Sequence, residues 1–169
     1  MTVGDAHWHM IDEIDLAGMV SDHAGLGQLC DRLEALADSL PEPPAEETVD
    51  FLRSELENRV PIHDARERAM LDRLFGRGSL RALDAAVLAQ IGARRTSCVV
   101  QAQDLVAALR GDGAVPAPET LGYMLRCFFQ ACRQAMAFEE LGILHLAADR
   151  LTPAGRSLLA HSLVRRCGG

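Results

Sequence analysis

The chain has 169 residues, 49% of them hydrophobic, and a formal net charge of −7. That is enough apolar material for one folded core, too much for a disordered chain, and the wrong sign of charge for a protein that binds nucleic acid by neutralising phosphates. No apolar run approaches the ~20 residues that span a bilayer, and Met1-Thr2-Val3-Gly4-Asp5 has neither a basic nor an apolar leader region, so a cytoplasmic protein without membrane or nucleic-acid partners is expected.

All 17 basic residues are arginine, and six histidines and five cysteines are spread along the chain. Cys30, Cys98, Cys127, Cys132 and Cys167 form no C-x-x-C pair. They read as buried thiols of a reducing compartment, with Cys167 in a frayed, exposed tail, rather than as a cysteine-type zinc site. Breaks rich in glycine and proline fall at Pro41 to Pro44, Gly76 to Ser79, Gly111 to Pro118 and Thr152-Pro153. The stretches between them are rich in Ala, Leu, Glu and Arg and lack alternating apolar-polar runs, so helices are expected and strands are not. The predicted fold is all-α: an up-down-up-down four-helix bundle with a short extra C-terminal helix. Its parts are an N-terminal segment (1–13), the bundle (14–150), and a C-terminal helix and tail (151–169).

The N-terminal segment carries His7-Trp8-His9, read as an unanchored stretch. The first bundle helix has a seam of Leu16, Met19, His23, Leu26, Cys30, Leu33, Ala37 and Leu40, spaced three and four residues apart. One member is a histidine. The second helix, from about Glu46 to Phe75, gives Val49, Leu52, Leu56, Val60, His63, Glu67, Met70 and Leu74. Two consecutive members are polar, and Pro61 should kink the helix beside them. The third helix, from about Ser79 to Arg110, shows Leu80, Leu83, Val87, Ile91, then Arg94 or Arg95, and Cys98, Ala102, Leu105 and Leu109. The fourth starts near Pro118 and gives Leu121, Leu125, Phe128, Cys132, Ala135, Glu139, Gly142 and Leu146. A fifth helix follows Pro153 with Thr152 as its N-cap. His145 and His161 are expected to be structural or exposed.

His23, His63, Glu67 and Glu139 therefore point inward from three helices. Burying carboxylates without compensation costs several kcal/mol per ion. A divalent metal held by two imidazoles and two carboxylates would offset that cost, and the donor set suits iron, manganese or zinc. His63 and Glu67, at i and i+4, lie on one helix face. A second compensator is Arg94 or Arg95, whose guanidinium would pair with Glu67 and Glu139 without a metal. An exposed Arg-Arg pair is the alternative for those two residues. No Ser-His-Asp order, Walker loop or dinucleotide fingerprint is present.

Three segments resemble the hemerythrin-like, HHE cation-binding family over residues 14 to 150. They are Ser21-Asp22-His23-Ala24-Gly25-Leu26, the H-x-x-x-E of His63 to Glu67, and Glu119 to Arg126 running on to Ala137-Phe138-Glu139-Glu140. The resemblance implies a four-helix bundle that holds two irons bridged by two carboxylates, and that binds dioxygen or serves in iron, nitric oxide or redox sensing. It implies His23 as the ligand of the first helix, His63 and Glu67 as the histidine and bridging carboxylate of the second, and Glu139 as the carboxylate of the fourth. The family's fourth-helix histidine falls on Ala135. The third helix has no histidine, and Ile91, Arg94, Arg95 and Cys98 occupy its places. The retained set resembles one iron site with both bridges; the missing set resembles the other.

The expected function is thus a mononuclear metal-binding protein, with iron as the first choice and zinc or no metal as the others. It would bind or sense iron, dioxygen, nitric oxide or redox state rather than catalyse. The alternative is a metal-free bundle serving as a regulatory or protein-interaction module, with Arg94 or Arg95 replacing a metal. An oxidase or peroxidase ranks last, because no substrate pocket or dedicated acid-base group is legible. A protein partner and a homodimer both remain open.

Overall fold

The computed structural model describes residues 10–76, 80–111 and 116–167. Among them are five α-helices: α1 (Glu13–Ser39), α2 (Glu46–Phe75), α3 (Ala82–Arg110), α4 (Pro118–Leu146) and α5 (Pro153–Cys167). The protein is all-helical, a helical bundle. His7, Trp8, His9 and the tail Gly168-Gly169 lie outside the described residues.

Local chemistry sets the helix ends. Asp12 caps α1, accepting from the N–H groups of Ile14 at 2.9 Å and Asp15 at 3.2 Å, while the Asp15 carboxylate accepts from the Asp12 N–H. This reciprocal arrangement satisfies donors that the first turn otherwise leaves orphaned. Thr152 caps α5 as expected, its hydroxyl accepting from Gly155 N–H at 3.1 Å. Gly111 ends α3 at φ 68°, the left-handed conformation that glycine adopts without a Cβ clash. α2 continues as helix through Pro61.

α3 departs from expectation at its start. It begins at Ala82, and Leu80 and Leu83 are 41% and 62% exposed instead of lying on a buried stripe. Asp84 is buried there, bonded by Arg81 Nε at 2.8 Å and facing His145 Nε2 at 3.3 Å. The first turn of α3 thus meets the end of α4 through a polar contact, which leaves its leucines facing solvent.

The four long helices pack in a ring, α1 on α2, α2 on α3, α3 on α4 and α4 on α1, and α5 lies against α1 and α4. Gly142 marks a close approach of α4 to α3, since a Cβ there would meet Ile91 Cδ1 at 2.8 Å. An isolated parallel bridge between Ile11 and Leu151 ties the start of α1 to the α4–α5 connection. Its bonds run from Ile11 N–H to Arg150 C=O at 2.8 Å and from Thr152 N–H to Ile11 C=O at 3.0 Å.

The core is split in two. One apolar cluster takes Leu26 to Ala37 of α1, Leu52 to Val60 of α2, Cys98 to Val106 of α3 and Leu125 to Met136 of α4. The other takes Leu16 to Val20, Met70 to Phe75, Ile91, Ile143 and Ala147, together with Ile11, Leu151 and Leu159. Apart from Asp84 at the start of α3, the buried polar residues of the long helices fall between the two clusters: His23, His63 and Glu67, Arg95, and Glu139 and Glu140. No helix among the described residues is long and apolar enough to cross a membrane.

Candidate metal centre

The layer between the two apolar clusters contains all four residues singled out from the seams. His23, Glu67 and Glu139 are at most 1% exposed and His63 is 8% exposed. One donor atom each from His23, His63 and Glu67 lies within 4.8 Å of the other two. The two imidazole rings meet edge to face, 5.1 Å apart at 61°. Glu139 sits against this triad rather than within it. Its Oε2 is 3.6 Å from His23 Nε2, and its carboxylate is in hydrogen-bond contact with the Glu67 carboxyl.

His23 is oriented from behind. Its Nδ1 bonds Glu140 Oε1 at 2.7 Å, and the same oxygen accepts from the Ser162 hydroxyl of α5 at 3.0 Å. Glu140 is fully buried, and Ser162 is 4% exposed. An imidazole whose Nδ1–H is given to a carboxylate presents Nε2 as a lone pair, the arrangement that fixes the tautomer of a ligating histidine. Glu140 and Ser162 were not legible as site residues. Glu140 sits one place off the apolar seam, on the α4 face that meets α1 and α5, and Ser162 needs the docking of α5 to reach it.

The electrostatics follow from burial. Loss of water lowers the His63 imidazole to about 4, with His23 adding to the effect, so His63 is neutral at pH 7 and one of its ring nitrogens carries a lone pair. Burial and then the neighbouring Glu139 raise Glu67 to about 9, so Glu67 holds a proton. Burial also pushes Glu139 upward, but the neighbouring His23, Glu67 and Arg95 outweigh it and hold Glu139 below the usual carboxylate range. The two carboxyl groups therefore share one proton, as two like charges in close contact must.

The helix-three alternatives resolve. Arg95 is buried, 9% exposed, while Arg94 lies half-buried with its guanidinium 4.8 Å over the Phe138 ring. Arg95 reaches toward Asp64 (Nε to Oδ1, 3.5 Å) and Glu139 (Nη1 to Oε1, 3.8 Å). Neither contact is a hydrogen bond, and Arg95 Nε and Nη1, Asp64 Oδ1, Glu139 Oε1, His63 Nδ1 and Glu67 Oε2 are all buried with no hydrogen-bond partner among the described residues. Such a concentration of unsatisfied polar atoms costs roughly 1–3 kcal/mol per group unless something completes it.

The donor set fits a divalent ion. It offers two imidazole nitrogens, one on a ring held by a carboxylate, and two carboxyl oxygens, in a buried layer. Two of the cavities bordering it reach its histidines. One, of about 20 Å³, is lined by His63, Asp64, Arg95, Glu139 and Ala135, and by the thiols of Cys98 and Cys132. The other, of about 700 Å³, opens between α1, α4 and α5 and reaches His23 and Ser162. His145 and His161 are exposed and take no part. Compared with known proteins, the chain matches no family model, no curated protein and no solved structure.

Proposed function

We propose that this protein is a divergent hemerythrin-like bundle that binds one divalent metal ion, iron first, through His23, His63, Glu67 and Glu139. It serves to bind or sense iron, dioxygen, nitric oxide or redox state rather than to turn over a substrate. The observation that carries this reading is the convergence of one donor atom each from His23, His63 and Glu67 within 4.8 Å. The carboxylate behind His23 supports it, because a buried histidine held in that tautomer is ready to ligate. A bound ion would supply Lewis acidity and a coordination position for a small ligand.

An up-down-up-down path of the four long helices is part of the proposal. It is supported by the order in which the two apolar clusters occur, which reverses from each long helix to the next. The absence of a histidine on α3 and the presence of Ala135 on α4 support one ion rather than two. The free thiols of Cys30, Cys98, Cys127 and Cys132 fit a reducing, cytoplasmic setting.

The second reading, a metal-free regulatory or interaction module, is favoured by one observation: Arg95 stands within 3.8 Å of Glu139. Metal analysis decides between them. Untagged protein loaded anaerobically with iron(II) and desalted is expected to retain about one equivalent, and a His63→Ala, Glu67→Ala double variant close to none. Retention below about a tenth of an equivalent, or equal retention in the double variant, overturns the metal reading and leaves the metal-free one.

A further inference from the structure

Three of the five cysteines meet within one apolar cluster, each from a different helix: Cys30 of α1, Cys98 of α3 and Cys132 of α4. They are 0%, 7% and 4% exposed. Cys132 is the hub, its thiol in hydrogen-bond contact with both Cys30 and Cys98. A single buried cysteine is an ordinary small apolar side chain. Three thiols brought together from three helices are a set of soft donors. A cation stands beside them: Arg94, one turn before Cys98 on α3, places its positive charge near the Cys98 sulfur. Its guanidinium lies over the Phe138 ring, and its Nε is buried with no hydrogen-bond partner among the described residues. We propose that Cys98 and Cys132 bind one copper(I) ion as a pair of thiolates, with Cys30 as a third sulfur beside Cys132.

The chemistry of the surroundings selects the ion. Apart from the thiols, that cluster holds only hydrocarbon side chains and the Met136 thioether, so it supplies no hard donor. Zinc would want four ligands, whereas copper(I) is satisfied by two sulfurs in line. Binding exchanges two thiol protons for one cation, and neither copper nor sulfur changes oxidation state. Two thiolates and one monovalent cation leave a single negative charge, which the Arg94 guanidinium offsets. Burial keeps water and oxidants from the bound ion. This site is independent of the histidine and carboxylate centre, which offers harder donors to a divalent ion.

The probe is copper(I) itself, given to the full chain without oxygen and with a coloured copper(I) chelator as competitor. The wild-type chain is expected to hold about one equivalent against the chelator. Cys98→Ala and Cys132→Ala are each expected to bind about a hundredfold more weakly, and Cys30→Ala to lose no more than about tenfold. Cys127→Ala, which removes a half-buried thiol outside the cluster, and the His63→Ala, Glu67→Ala double variant are expected to bind copper(I) as the wild type does. X-ray absorption at the copper edge of the wild-type protein is expected to find sulfur neighbours only, and it carries the test if a core variant fails to fold. No retention by the wild type, undiminished retention in Cys98→Ala or Cys132→Ala, loss in the His63, Glu67 double variant, or nitrogen neighbours around copper each overturn the thiolate site. None of these outcomes bears on iron(II) retention, which tests the other centre.

Discussion

At the scale of single residues, His23 reaches the interior with its two ring nitrogens assigned to different partners. Nδ1 is bonded to Glu140, which is bonded in turn by Ser162, and Nε2 faces Glu139. A carboxylate behind an imidazole raises its basicity and locks its plane, and losing such a partner typically weakens metal affinity ten- to a hundredfold. Glu140→Gln keeps the size and an acceptor for Nδ1–H but removes the charge. It is expected to lower iron or zinc affinity about tenfold or more, read by competition with a chelator of known affinity, while the metal-free melting temperature moves little. Ser162→Ala is expected to act in the same direction and less. The inward residues of this layer were legible because a polar side chain in a heptad-like seam breaks an apolar pattern. The supporting residues were not, because Glu140 and Asp64 each adjoin a seam position and read as surface charges until helix packing covers them.

At the scale of helices, the seams of α1, α2 and α4 match the buried faces along nearly their whole length, and α3 matches only from Ile91 onward. Periodicity reports which side of a helix is apolar; it does not report where the facing helix stops. Leu80 and Leu83 continue the α3 stripe in spacing, yet they stand where the neighbouring end of α4 offers His145 and the local contact is made by Asp84. The two halves of the stripe should respond differently to truncation. Ile91→Ala removes a side chain that is 1% exposed and packed against Gly142, and it is expected to cost ~2–4 kcal/mol. Leu83→Ala removes one that is 62% exposed and is expected to stay within about 0.5 kcal/mol. Urea denaturation of the two variants checks this; similar losses would mean that the first turn of α3 is packed after all.

At the scale of the whole molecule, the bundle is two apolar cores separated by an ionisable layer, an arrangement that costs stability unless the layer is compensated. In the metal-free chain the compensation is partial and depends on pH. Glu67, raised to about 9 from an unfolded value near 4.5, holds a proton that the unfolded chain has released above pH 4.5. Its contribution is therefore fully present below pH 4.5 and is lost as the pH rises toward 9. His63 runs the other way: lowered to about 4 from 6.5, it withholds a proton that the unfolded chain takes up, so its contribution is present above pH 6.5 and is lost as the pH falls toward 4. Of these two groups only Glu67 acts between pH 6.5 and 9, and it is expected to cost the metal-free protein up to about 1.4 kcal/mol of stability per pH unit. An ion held by Glu67 would displace its proton. Metal at 100 times its dissociation constant should add about 2.7 kcal/mol at pH 7, several degrees in melting temperature, and release about one proton from a carboxyl group that is still protonated at that pH. Melting curves from pH 6.5 to 9 are therefore expected to slope downward for the metal-free chain and to flatten or rise with zinc or iron present. Parallel slopes with and without metal would mean that the ion does not bind at Glu67, and the same curves for Glu67→Gln, which carries no titrating proton, are expected to be flat without metal.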